Sequence, residues 1–520
     1  MKLDKRKFFP IIIIIAIVLI FVSLNLEMVQ NSVTSIYNLI SHNCSWLFVL
    51  ANLAAFIFSL WIIFGPYAKV RLGGQNQKPE YSNFSWISMM FTTSCSAGLI
   101  VFGFIESIIY ASTPPFQIAP FSIEAYENAQ VYSHYHWGLN AWALYVPISI
   151  AIGYVFYNKK KNSISMSTAC EPILKEKSQG FFGCLLDVLG TFGAIVAPVT
   201  SMGLGMPLLT LLIQNMFNIP NDKIIILQIV ILAIWILIFA TSVYKGLNKG
   251  IKNLSNINVI MAFVFMLFVG VLAGLFNVFK SEINTIGLYL TKFVRMATYT
   301  DSYGDGNFVA SWTVWYWAWL IVYMPLMGVF NARISKGRTL REIALGQIIF
   351  CSLGCWIAMA TLGNFAIKLQ QSGTVDIANI LSTQGQPQAI LAIVQNMPLP
   401  KIMMGILAVI CFVFMATTVD SSSFVAAETT MKYENQNSLA PRWLRMFWAV
   451  ITCVITFVLL QVGGFNAVQV LAILIGLPLA FVMFIVIISA IKALKDNEEI
   501  KLLNKTNKTK IENTYEKESK

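Results

Sequence analysis

Side chains able to do covalent chemistry are scarce in this chain. It has three histidines, His42, His134 and His136. All three fall in external or boundary segments by the apolar pattern, and no carboxylate or nucleophile completes a dyad or triad with them. A membrane enzyme is therefore the weakest reading. The eight cysteines show no metal-ligand spacing. Cys351 and Cys355 do not form a CxxC pair and most of the others lie in apolar runs, so buried reduced thiols are expected, with no metal centre and no cofactor. Charge is also sparse, at 12% of residues against 57% hydrophobic. No segment has the look of a soluble domain. The formal charge of +12 would suggest nucleic acid only if the basic residues clustered on one surface, and they sit between apolar runs instead.

What the chain has in abundance is hydrophobic runs long enough to cross about 30 Å of hydrocarbon. They predict an all-α polytopic membrane protein with twelve helices, near 8–26, 46–66, 84–111, 137–157, 181–214, 223–243, 257–279, 308–331, 343–367, 401–425, 444–462 and 466–491. The first run has a basic start like a signal peptide, but its long apolar core and the lack of a small-residue cleavage motif predict a retained anchor. With the N-terminus inside, 30 of the 36 Lys and Arg lie on the cytoplasmic face; the six outside are Lys223, Lys280, Lys292, Arg295, Lys368 and Lys401. That asymmetry predicts a multi-pass protein of the cell membrane with both termini cytoplasmic. Residues 281–298 place Ile283, Ile286, Leu290, Phe293 and Val294 near one helical face, as in an amphipathic helix at the outer interface, and 388–396 is read the same way. The tail from 493 to 520 reads as a solvated extension.

Aromatic residues crowd the eighth helix. Trp312, Trp315, Trp319 and Tyr323 follow at steps of three, four and four, so they share one face with Met327 one turn on, while Trp317 points elsewhere. Trp137, Trp142 and Tyr145 open the fourth helix. A quaternary ammonium cannot donate a hydrogen bond, so ring faces are the natural way to desolvate it. Two ring-rich helices together predict a cation cage.

These segments resemble the betaine/carnitine/choline transporters over nearly the whole chain. The likeness rests on GPYAKVRLG at 65–73, Glu106 with STPPF at 112–116, HWGLNAWALY at 136–145, TSMGLG at 200–205, YKGLNKGIKNLSNIN at 244–258, and WYWAWLIVYMPLMGVFNARISKGRTLRE at 315–342. The resemblance implies two inverted five-helix repeats of LeuT-like topology after two extra N-terminal helices. The corresponding units are 1–83 for the tail and extra helices, 84–279 and 308–491 for the repeats, 280–307 for an external helix, and 492–520 for the cytoplasmic tail. It also implies a homotrimer, and a substrate set of Trp137, Trp142, Tyr145 and Trp319. Tyr323 and Met327 continue that face, and Trp312 and Trp317 line an access path. Leu320 stands where relatives carry a second Trp, so one wall of the cage is expected to be missing.

Coupling turns on oxygen ligands. Sodium favours carbonyl and hydroxyl oxygens, and the tenth helix offers Phe414, Thr417 and Thr418, matched by resemblance to a cation site with Ser94 and Cys95 of the third helix. The alternative is that these hydroxyls bond back to their own helix. Sodium-independent exchangers of the family carry an Arg in the seventh helix where this chain has Asn258, which favours cation coupling, whereas Met327 is shared with the exchangers. Glu106, Asp187 and Asp420 lie within spans and need partners or roles. The function expected is secondary transport of a trimethylammonium compound such as carnitine, γ-butyrobetaine, glycine betaine or choline, by Na⁺ symport. Sodium-independent exchange, and a membrane sensor without net transport, are the alternatives.

Overall fold

The computed structural model describes residues 2–95, 97–245, 250–432 and 439–496. Ser96, residues 246–249 of the YKGLNKGIKNLSNIN segment, and most of the expected tail lie outside them. Eleven helices among the described residues are long and apolar enough to cross a membrane. A bent pair, Asn83–Cys95 and Gly98–Ser112, makes a twelfth, with 60° between its halves. The chain is thus an all-α multi-pass membrane protein, with spans close to those read from hydropathy.

The break in the third span falls on the polar stretch Thr92 to Gly98. Short hydroxyl side chains compete for backbone hydrogen bonds and glycine weakens helix, so continuity is lost where both gather. By contrast, the hydroxyl-rich tenth span, Pro400–Thr429, is one uninterrupted helix.

Several expectations fail in instructive ways. The fourth span is Ile123–Tyr157, beginning fourteen residues before the expected start. His134 and His136 therefore lie inside a span, both 1% exposed, rather than at a boundary. The segment 123–136 is too polar for hydropathy to mark it. Distant elements satisfy two of its polar side chains: Glu282 bonds His134 at 2.9 Å and Lys292 bonds Asn128 at 2.9 Å. Both partners come from the helix Leu275–Thr298. That helix leaves Ile283, Ile286, Leu290 and Val294 exposed as one apolar stripe, as expected of an interfacial helix, but Phe293 turns inward onto Phe56 and Tyr289. The segment 388–396 does not lie on the surface. It belongs to the helix Gln386–Gln395, whose Ile390, Ile393 and Val394 are fully buried. A helix with one apolar face can bury it in protein as well as in lipid, and here the third, fifth and tenth spans receive it.

One helix, Leu26–Asn43, was not expected at all. Its Tyr37 hydroxyl donates to the Ala310 carbonyl at 3.0 Å. Ala310 sits in a π-turn, Val309–Thr313, that opens the eighth span. Such turns displace carbonyls from the regular ladder, and an outside donor meets one of them here.

The N-terminus is tied down. Lys2–Leu3 pairs antiparallel with Met431–Lys432, and Asp4 caps the first helix. Lys7 then reaches Asp187 of the fifth span at 2.6 Å. Asp187 also accepts from the Ser167 backbone and hydroxyl, at 2.7 and 2.8 Å, so its role is structural pairing. Two more ion pairs hold the same end: Arg333 with Glu428 at 2.7 Å, and Arg445 with Asp420 at 3.7 Å.

Removing one member of a buried pair strands the other. Asp187→Ala is expected to cost about 3–5 kcal/mol, read as a lower thermal midpoint of the detergent-solubilised protein. Lys7→Ala with Asp187→Ala should lose less than the sum of the two single losses.

Candidate functional site

Glu106, on the second half of the broken third span, is fully buried. Its Oε2 accepts from Trp137 Nε1 at 2.8 Å and from the Tyr316 hydroxyl at 2.9 Å. Trp137 stands where the helix Ile123–His136 gives way to Leu139–Ala143. Tyr316 comes from the eighth span. One oxygen therefore draws together side chains from the third, fourth and eighth spans.

Rings gather around this point. Trp137 and Trp319 meet edge to face, with centroids 5.9 Å apart. Trp142 lies 6.1 Å from Trp137 and hands its indole N–H to the Trp137 carbonyl at 3.0 Å. Tyr145 follows 6.0 Å beyond Trp142. On the eighth span, Trp315 stacks on Trp319 at 5.5 Å with 8° between planes, and Tyr323 meets Trp319 edge on at 6.2 Å. Trp319 is fixed at its far end by Thr200 of the TSMGLG segment, whose hydroxyl accepts its Nε1 at 2.7 Å. It also lies over the helix break, because a Cβ on Gly98 would stand 2.5 Å from its ring. Glycine is needed there for close approach.

Four of the expected substrate residues, Trp137, Trp142, Tyr145 and Trp319, thus stand in one chain of contacts, with Tyr323 beside Trp319. Sequence reasoning missed Phe102 and Tyr316. Phe102 packs on Trp137, Tyr316 and Trp319, with centroids 6.4, 5.6 and 6.1 Å away. The available signal was its place four residues before Glu106, on the same helical face.

Trp317 turns away toward Tyr135 and His136. Trp312 is half-buried and borders a cavity of about 660 Å³ lined by the STPPF segment, Tyr299, Asp301, Asp305 and Phe308. Ring contacts lead inward from it: Trp312 to Tyr110 at 5.3 Å, Tyr110 to His136 at 5.6 Å, His136 stacked on Tyr316 at 4.7 Å. His136 is held by the Tyr110 hydroxyl at 2.7 Å and by Thr313 at 3.1 Å.

The expected ion ligands divide into two groups. Thr417 and Thr418 both donate to the Phe414 carbonyl, at 2.8 and 3.0 Å, bonding back to their own helix. The third-span group nearest them in this hydrogen-bond network is Thr93, 3.1 Å from Ser421, which in turn donates to the Thr417 carbonyl at 2.9 Å. Ser94 and Cys95 face the other way, Ser94 toward Met327 and Gln347, Cys95 toward Cys355 at 3.4 Å. Asn258 is fully buried, and its amide finds no hydrogen-bond partner among the described residues. Asp420 is drawn to Arg445.

Fold and site together define a multi-pass membrane protein with a ring cluster at a helix break. The chain belongs to the betaine/carnitine/choline transporter family: the family model for these transporters matches residues 7–499. Among solved structures it is similar to a Na⁺-coupled sialic acid symporter in a substrate-bound outward-open state. There the identity is 12%, 86% of each chain is covered and the TM-score is 0.44, a likeness too distant to bear on substrate or coupling.

Removing the Glu106 carboxylate leaves the Trp137 and Tyr316 donors without their shared acceptor. Glu106→Ala is expected to cost about 1–3 kcal/mol for each unsatisfied donor. Glu106→Gln, which keeps a carbonyl acceptor, should cost less in the same thermal unfolding measurement.

Proposed function

We propose that the protein is a secondary active transporter carrying a trimethylammonium compound such as carnitine, γ-butyrobetaine, glycine betaine or choline across the cell membrane. The observation that carries the reading is the convergence of Trp137, Trp142, Tyr145, Trp319 and Tyr323 at the break of the third span. Each ring facing a cation contributes roughly 0.5–2 kcal/mol, so three or four suffice for a reversible site. Transport would proceed by alternating access, with 84–279 and 308–491 as repeats moving about the site. The N-terminus lies in the cytoplasm under this reading, on the basic face.

Sodium is the proposed coupling ion. The seventh span, Ser255–Ala273, carries no Lys or Arg, and the buried amide of Asn258 leaves room in the charge balance for a cation. Its ligands would come from Thr417, Thr418 and the Phe414 carbonyl, with Thr93 and Ser421 across the junction of the third and tenth spans. Met327, set against Ser94, favours the second reading, sodium-independent exchange.

Uptake into proteoliposomes with and without an inward sodium gradient separates them. Faster uptake with the gradient is expected. Equal rates, with stimulation by internal substrate, would replace symport by exchange, and binding without accumulation would point to a sensor. Trp319→Ala is expected to weaken substrate binding about tenfold; unchanged affinity would overturn the cage.

A further inference from the structure

The face that carries the N-terminus, the inner one under the proposed orientation, is held by two sets of contacts that cut across the repeats. The first set ties the third, fourth, eighth and ninth spans. Trp86 of the third span donates its indole N–H at 2.9 Å to the hydroxyl of Ser335, just past the end of the eighth span, Val309–Ile334. Arg338 donates to the Asn83 side chain and the Tyr81 carbonyl, at 2.6 and 2.8 Å. Ser149 of the fourth span gives its hydroxyl to the Tyr145 carbonyl, so it accepts from Asn331, whose NH₂ lies 3.2 Å away. The same NH₂ donates to Gln347 of the ninth span, Leu340–Gln371, at 3.0 Å.

The second set ties the N-terminus to the fifth, tenth and eleventh spans. It includes Lys7 with Asp187, the strand pair at Met431–Lys432, and Arg445 with Asp420. Ser422 also donates to the Ala194 carbonyl at 2.6 Å, and Thr191 lies 3.0 Å from Thr429.

The two sets meet at a tight seam. The fifth span presses on the eighth at Gly193, where a Cβ would stand 2.9 Å from the Val322 carbonyl. Toward the inner surface, Arg333 of the first set donates to Glu428 of the second at 2.7 Å, with side chains 7% and 0% exposed. Each partner is anchored to its own side. The Arg333 guanidinium lies 4.9 Å from the Phe156 ring of the fourth span, and the other Glu428 oxygen accepts the Ala440 N–H at 2.6 Å.

An ion pair suits a joint that must part. The attraction is largely offset by the cost of removing both charges from water, and water takes up both ends again when the seam opens. A charge left alone in the closed seam is costly, and opening relieves that cost.

We infer that Arg333 and Glu428 form the latch of an inner gate, joined while the ring cluster is closed to that side and parted when it opens there. The inference rests on the alternating access proposed above and names the contact that must break. Each repeat supplies spans to both sets, so the movement is of set against set.

Hydrogen–deuterium exchange of the purified full-length protein, read by mass spectrometry, tests the latch. Glu428→Gln keeps an acceptor for Ala440 and strands the Arg333 charge. Exchange in the inner segments 183–197 and 320–334 should rise about tenfold, with no rise in the outer helices 275–298 and 386–395. Arg333→Gln combined with Glu428→Gln strands no charge and should exchange more slowly there than Glu428→Gln alone. A rise spread over both faces would reduce the pair to structural support, and no rise in either inner segment would also overturn the latch. If Glu428→Gln does not fold, Arg333→Gln decides by the same criterion. Proteoliposome uptake tests transport separately, so a wild type that transports while its seam ignores these changes loses the latch alone.

Discussion

A carboxyl group buried completely inside a membrane protein must be matched by donors, since neither lipid nor water is there to solvate it. Glu106 meets part of this demand with Oε2, shared between Trp137 and Tyr316, while its Oε1 lies 3.7 Å from His136 Nδ1. The consequence reaches beyond the carboxyl group. Trp137 sits at a helix break and Tyr316 on the eighth span, so satisfying Glu106 sets the spacing of three spans and turns ring faces toward one another. Trp319 is then held from the opposite side by Thr200 and by the clearance over Gly98.

Hydroxyl content alone does not decide why the third span breaks where the tenth does not. Both are rich in Ser and Thr. In the tenth, Thr417, Thr418 and Ser421 return their hydroxyls to carbonyls three or four residues back, and the helix continues. In the third, Thr92, Thr93 and Ser94 find partners on other spans as well: Ser255, Ser421, and Met327 with Gln347. Ser421 and Ser422 of the tenth span also bond to other spans, at Thr93 and the Ala194 carbonyl, so the difference lies in Gly98 at the break, where the polar stretch of the tenth span has no glycine.

Much of the architecture was legible from the amino acids. Apolar runs of membrane length, each bounded by polar or basic residues, fixed the number and approximate bounds of the spans, because hydrocarbon thickness imposes a minimum length on every crossing helix. The ring-bearing face of Trp312, Trp315, Trp319 and Tyr323 could be read the same way, since it follows from local composition and a 3.6-residue period. What escaped were elements whose burial depends on remote partners. The stretch 123–136 looks external by hydropathy yet lies inside a span, where Glu282 and Lys292 bond His134 and Asn128 from 148 and 164 residues away.

The sequence alone therefore determined the class of the protein, the family it resembles and the residue types of a cation cage, all properties of local composition and period. Tertiary structure decided which of those residues meet. It put Ser94 and Cys95 toward the eighth and ninth spans rather than the tenth, drew Phe102 and Tyr316 into the ring cluster, and gave the Asn331 and Gln347 amides a direction. Those outcomes depend on which hydrogen-bond donor finds which acceptor across the bundle. That matching is made between segments far apart in the chain, where periodicity has nothing to say.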